Sequence, residues 1–134
     1  MLLRNFTKDD YELLTEWWHN WKWPAMPLEA LSDTGLCISA LDGEPLAIGF
    51  VYLTNSTIAW VEWITASPHI DKRERAAAVR FLLDELCDLA KDRGKKVLFS
   101  SLNPEKTPGL LAKYQERGFI VTDEKMTNVI ARIE

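Results

Sequence analysis

The stretch from about Asp71 to Asp92 constrains this chain more than any other. Val79, Leu82, Leu83, Leu86, Leu89 and Ala90 recur there at spacings of one helical turn, with Arg80, Asp84, Asp88 and Lys91 between them. That pattern gives a long helix with one apolar stripe and one wet side. A single stripe must be buried against another layer, and the segments on either side supply a sheet for it. Gly94 is placed to end the helix.

Upstream, Gly35 to Leu41 and Pro45 to Leu53 flank Asp42-Gly43, a dipeptide that tolerates the left-handed backbone of a tight hairpin, so these two runs pair antiparallel. Pro45 to Leu53 is apolar on both faces and lies inside the sheet. A polar turn at Thr54-Asn55-Ser56 leads into Thr57 to Ala66, rich in aromatic and branched residues, which is the third strand of a meander. Lys95 to Leu102 follows the long helix as a strand. The unit from Thr57 to Leu102 therefore supplies one parallel crossover.

The ends complete the order. Met1 to Phe6 reads as a short strand, followed by Thr7 as a cap and a helix with Leu13, Leu14, Trp17, Trp18 and Trp21 on one face. Pro24 and Pro27 break that helix, and a short second one fits between Pro27 and Asp33. Pro108 to Arg117 is a helix ending at Gly118, and Phe119 to Thr122 with Lys125 to Ile133 reads as a final hairpin around Asp123-Glu124. The expected architecture is α/β with a mixed, mostly antiparallel central sheet, helices on both faces, and the order β-αα-βββ-α-β-α-ββ.

Length and charge narrow the function. A chain of 134 residues fits one domain, 1–134, with one core. Its longest apolar runs fall well short of the roughly 20 residues of a membrane span. Acids stand at positions 9 and 10, where a signal peptide has its apolar segment, so the expected location is the cytoplasm. The formal net charge of -4 argues against nucleic acid as a main partner and leans toward a cationic acceptor. Cys37 and Cys87 have no neighbour at metal-ligand spacing, so no metal is expected and both read as buried apolar residues.

Two segments carry a family resemblance. Ile64-Thr65-Ala66-Ser67-Pro68, followed by Arg73-Glu74-Arg75-Ala76-Ala77-Ala78 and the long helix, resembles the fourth strand and pyrophosphate loop of the GNAT superfamily of N-acetyltransferases. The loop pattern there is Gln or Arg, two residues, Gly, one residue, then Gly or Ala. Arg73, Ala76 and Ala78 fall on the three motif positions, with Ala76 where the family usually has Gly. The physical logic is that helix N-terminal amides point at phosphates and small side chains let them approach. Leu110-Leu111-Ala112-Lys113-Tyr114-Gln115-Glu116-Arg117-Gly118-Phe119 is similar to the family's late helix, with its Tyr, three residues, then Gly-Phe. The resemblance covers essentially the whole sequence.

What it implies is acetyl-CoA as cosubstrate and a small-molecule or peptide amine as acceptor, in a monomer or homodimer. Tyr114 would protonate the leaving thiolate; its other reading is a ring packed on the sheet. Ile64, Thr65 and Ala66 would offer a backbone N–H to the thioester oxygen. Arg73, Glu74, Arg75, Ala76, Ala77 and Ala78 would hold the pyrophosphate, or the two arginines simply start a solvated helix. Asn103 or Thr107 would bond the pantetheine arm or cap the following helix, and capping is the reading preferred for Thr107.

Glu62 is the candidate base, an acid in an otherwise apolar strand whose pKa burial would raise, with an exposed or ion-paired acid as the other reading and a water relay as the other base. His19 and His69 have no paired acid or nucleophile at a recognisable spacing. Most of the six tryptophans belong to the core, while Trp23, and Trp60 or Trp63 on the strand, are placed to wall an acceptor site. Two functions remain open at this point: an active acetyltransferase, and a GNAT-like binding or assembly module without turnover.

Overall fold

The computed structural model describes residues 1–133 and divides into two compact units, Met1–Ser101 and the segment from Leu102 onward. The first unit is a five-stranded sheet in the order β1-β2-β3-β4-β5. Its strands are β1 (Leu2–Asn5), β2 (Gly35–Ser39), β3 (Pro45–Leu53), β4 (Ile58–Ala66) and β5 (Val97–Phe99). All neighbours are antiparallel except β4 and β5, which the crossover helix makes parallel. The mixed α/β architecture read from the sequence is the one observed.

The Asp42-Gly43 turn forms as expected. Gly43 takes φ +92°, its N–H donates to the Ala40 carbonyl at 2.9 Å, and the Glu44 N–H donates to the Asp42 carboxylate at 2.9 Å. Register across β2 and β3 then places Cys37 opposite Ile48 and Gly35 opposite Phe50. A Cβ on Gly35 would lie 2.6 Å from the Phe50 ring. The close approach is therefore reserved for glycine by the aromatic packing across from it.

Helix α1 (Tyr11–Trp21) and helix α2 (Lys72–Asp92) cover the two faces. Directly opposed residues of a ladder share a face, so Cys37, Ile48 and Phe50 meet Leu14, Trp17 and Trp18 of α1 in one buried cluster. Leu82 and Leu86 of α2 lie over Gly49 on the other face, where a Cβ would come within 3.0–3.1 Å of both and of Ile64. The buried stripe of α2 is Ala78, Val79, Leu82, Leu83, Leu86, Cys87 and Ala90. Leu89 sits at its margin, half-buried. Gly94 ends α2 at φ +80°, and the Lys95 N–H closes the turn on the Ala90 carbonyl at 3.0 Å.

The entry to α1 is pinned by a charge. Arg4 on β1 holds Asp10 through two hydrogen bonds of 2.8 Å, and Asp10 also accepts from the Thr7 N–H at 2.8 Å. The Arg4 guanidinium keeps the Asp10 carboxyl below its ordinary range, burial opposing. Thr7 thus works from outside the helix through a capping box with Asp10.

Three expected elements differ. Between Pro27 and Asp33 only one 3-10 turn forms, at Leu28–Ala30, because seven residues beginning with a proline leave no room for an α-helical nucleus. The strand expected over Lys95 to Leu102 is paired only at Val97–Phe99. Among the described residues beyond Gly118 there is no strand, so the hairpin of Phe119 to Thr122 with Lys125 to Ile133 is absent. Its turn does form, with the Lys125 N–H donating to the Asp123 carboxylate at 2.8 Å. Local turn chemistry was available there, but Ile120, Val129, Ile130 and Ile133 stand exposed and bury no sheet face.

The second unit is built around α3 (Pro108–Glu116). Pro108 sets the first turn, and the Phe119 N–H donates to the Tyr114 carbonyl at 3.0 Å past Gly118 at φ +97°. The Thr107 hydroxyl donates back to the Asn103 carbonyl at 3.0 Å and makes no cap bond, contrary to the capping role expected of it.

Candidate active site

The site begins where β4 and β5 part. Their pairing runs Ile58 with Val97, Ala59 with Leu98 and Trp60 with Phe99, and ends there. β4 continues to Ala66 on β3 alone. Into the opening turn Ser100, whose hydroxyl donates to the Val61 carbonyl at 2.6 Å, and Ser101, whose N–H donates to the Glu62 carboxylate at 2.9 Å.

β4 also carries an extra residue. Ile48 pairs with Thr65 and Phe50 with Glu62, so a single β3 residue, Gly49, faces two on β4. The bulge is taken up by Trp63 at φ +59°. A bulky residue in the left-handed region costs about 1–2 kcal/mol. Ile64 still points to α2, while Trp63 swings its indole N–H onto the Tyr52 hydroxyl at 2.8 Å, and that hydroxyl donates to the Ala30 carbonyl at 2.9 Å.

Helix α1 fastens the far side of the bulge. The Trp18 indole N–H donates to the Thr65 hydroxyl at 3.0 Å, and that hydroxyl donates to the Trp63 carbonyl at 3.0 Å. The Trp21 indole N–H donates to the Ala66 carbonyl at 2.8 Å. Two tryptophans expected to be core are thus also donors that hold the backbone of Trp63 to Ala66. Ile64 and Thr65 are buried and Ala66 half-buried, so the expected acyl-binding stretch exposes little of its surface.

Glu62 faces the α1 side of the sheet opposite Phe50, half-buried. Burial pushes its carboxyl up to about 7, against the smaller opposing pull of the Ser101 N–H. Among the described residues it has no ion-pair partner. A carboxyl poised near neutrality at a break in a sheet is suited to accept and return a proton.

Arg73, Glu74, Arg75, Ala76, Ala77 and Ala78 form the first turns of α2. Asp71 caps the helix, its carboxylate accepting from the Glu74 N–H at 2.8 Å, while the Arg75 N–H goes to the Asp71 carbonyl at 2.9 Å. Arg75 lies over the Trp21 ring at 5.5 Å and donates to the Ile70 carbonyl. Arg73 and Ala77 are exposed, whereas Ala78 is fully buried in the core. The start of α2 thus combines exposed Lys72 and Arg73 with small side chains, and its Glu74 amide is taken by the Asp71 carboxylate.

In the second unit, Asn103 folds onto its own turn, its side-chain oxygen accepting from the Glu105 N–H at 3.1 Å. Tyr114 is buried with its ring edge-on to Phe119, centroids 4.8 Å apart. His69 pairs with Glu16 at 2.7 Å on the surface. An open cleft of about 810 Å³ beside the start of α1, lined by Phe6, Tyr11, Leu28 and Asp33 among others, contains none of the candidate residues.

The sequence did not point to Ser101, Asp71 or the bond from Trp63 to Tyr52. The Ser100-Ser101 pair directly after a strand was the available signal for the first. No residue-type signal exists for a tryptophan at positive φ.

No family model matches the chain, and no curated protein matches it. Solved structures do. The wild-type protein TTHA1254 of Thermus thermophilus superposes at TM-score 0.71 with 20% identity over 100% of both chains. Rv2747 of Mycobacterium tuberculosis, solved with CoA and NLQ, gives TM-score 0.70 with 14% identity over 98% of this chain and 77% of that one. AAC(6')-Iy, solved with the bisubstrate analogue CoA-S-monomethyl-acetylneamine, gives TM-score 0.67 with 19% identity over 98% of each chain. Another match is described as an acetyltransferase of Trypanosoma brucei. The fold of this chain is GNAT-like, the fold of the acyl-CoA N-acyltransferases.

Proposed function

We propose that the whole chain acts as a single acyltransferase domain that moves an acetyl group from acetyl-CoA to a primary amine in the cytoplasm. The observation that carries this reading is Glu62, a half-buried carboxyl raised to about 7 at the parting of β4 and β5. Fold likeness alone leaves function open; a proton acceptor tuned to neutrality is what an amine transferase needs in addition.

An amine reaches the site as an ammonium ion. The Glu62 carboxylate takes one proton, and the freed nitrogen lone pair attacks the thioester carbonyl carbon. A carbon–nitrogen bond forms and the carbon–sulfur bond breaks. Tyr114 supplies the proton for the departing sulfur and recovers one from the nitrogen, directly or through water, and Glu62 gives the ammonium proton to solvent, so both groups are restored and one proton is released per turnover. Residues Ile64 to Ala66 offer backbone donors to the carbonyl oxygen, Asn103 bonds the pantetheine arm, and the start of α2 from Arg73 to Ala78 takes the pyrophosphate. Lys72, Arg73 and the small side chains of Ala76 and Ala77 favour this last role.

Acetyl-CoA at about 100 times its Kd is expected to stabilise the fold by about 2.7 kcal/mol, read as a raised Tm. An unchanged Tm at millimolar ligand rejects the cosubstrate. Thiol release with an amine then separates an active transferase from a binding module. With that assay in hand, Tyr114→Phe should keep acetyl-CoA affinity and lower kcat by roughly 10²-fold. Equal turnover by the Phe variant removes Tyr114 from the mechanism.

A further inference from the structure

Apart from the Ser101 N–H that it accepts from, Glu62 has aromatic side chains for neighbours on its face of the sheet. On the same face, Trp60 lies two residues before it and stacks on Phe99, with ring centroids 5.0 Å apart and planes at 25°. Tyr52 lies opposite Trp60, and Trp63 is turned onto Tyr52 by the left-handed backbone at the bulge. Trp60, Trp63 and Phe99 keep 36%, 37% and 39% of their surface exposed, which is a large apolar area around one carboxylate. The carboxylate has no cation of its own among the described residues, and the Trp63 beside it is held at φ +59°, a backbone cost of about 1–2 kcal/mol.

We infer that the acceptor is a monoamine bearing a flat aromatic group, its ammonium on Glu62 and its ring against Trp60, Trp63 and Phe99. A cation between aromatic faces and one carboxylate is satisfied by the quadrupoles and the charge together. A polyamine would bring a second charge to a surface whose nearest groups are aromatic, and a plain alkylamine would leave the ring faces unfilled. The inference rests on reading Glu62 as the proton acceptor of a transferase, and it narrows the substrate class of that same site.

The test is calorimetric binding to the whole chain at pH 8, where Glu62 is ionised, with 2-phenylethylamine, n-butylamine, putrescine and 2-phenylethanol as probes. 2-Phenylethylamine is expected to bind at least about tenfold more tightly than each of the other three, one tenfold step for the ring and one for the charge. Trp60→Ala should remove most of the preference for 2-phenylethylamine over n-butylamine. The wild-type comparison among the four probes decides the matter even where that variant folds poorly. Equal affinity for 2-phenylethylamine and for n-butylamine, putrescine or 2-phenylethanol overturns the inference, as does binding of none of them. Thiol release from acetyl-CoA separates the two readings. Retained selectivity with no release by any amine sinks the transferase and leaves the aromatic amine site standing. Release that is as fast with n-butylamine and putrescine as with 2-phenylethylamine keeps the transferase and sinks the site.

Discussion

Glu62→Gln is expected to lower kcat/KM by roughly 10²-fold or more, the usual loss of a positioned base. Glutamine keeps an oxygen for the Ser101 N–H, so the fold should survive and the loss should fall on chemistry. Wild-type kcat/KM is expected to rise with pH through about 7, where Glu62 loses its proton, and the variant should lack that limb.

Stability should move the other way. The folded-state pKa of Glu62 lies above its ordinary 4.5, so the native state holds a proton that the unfolded chain has lost between the two values. Wild-type stability therefore falls as pH rises across that window, with the full cost present above about 7. Glu62→Gln should gain on wild type between pH 5 and 8 in matched urea titrations. An activity profile flat through pH 7 in the wild type would remove Glu62 as the base.

Trp17→Ala is expected to cost about 3–5 kcal/mol, the range for truncating a large buried aromatic. Trp17 is 1% exposed and packs in the cluster of Leu14, Trp18, Cys37, Ile48 and Phe50. That loss is a large share of the roughly 5–15 kcal/mol of a typical domain. The urea midpoint should drop with an unchanged m-value. A cost under about 1 kcal/mol would mean the cluster repacks around the hole.

The legible parts of the fold were those written in short-range code. Asp42-Gly43 fixed a hairpin because a left-handed turn residue is a local demand, and the stripe from Val79 to Ala90 fixed a helix because its period is local too. The C-terminal hairpin was not legible. Asp123 gave the turn, but alternation alone cannot say whether a strand finds a partner. Pro27 to Asp33 misled for a related reason, since a helix-sized gap in the pattern does not nucleate a helix.

The site was legible in its carboxylate and opaque in its surroundings. Glu62 announced itself as one acid in an apolar strand. Its tuning came from burial within the sheet, with the N–H of Ser101, 39 residues away, pulling against it, and the Trp63 part of its aromatic wall depends on the bulge opposite Gly49. Those are pairings across the sheet, invisible to spacing along the chain. Trp18 and Trp21 read as core because their helical period was sufficient explanation, and their N–H donors to Thr65 and Ala66 left no trace in that period.

The Asp71 cap changes what kind of equilibrium anion binding at α2 would be. With a carboxylate already on the Glu74 N–H, a phosphate would not add to an empty amide but trade places with a resident anion, so the hydrogen bond gained is nearly matched by one given up. The displaced carboxylate would remain nearby and repel the newcomer. Added salt would screen that repulsion as well as the attraction of Lys72 and Arg73. The ionic-strength dependence of cosubstrate affinity should accordingly be shallower than the exposed cations at this helix end suggest.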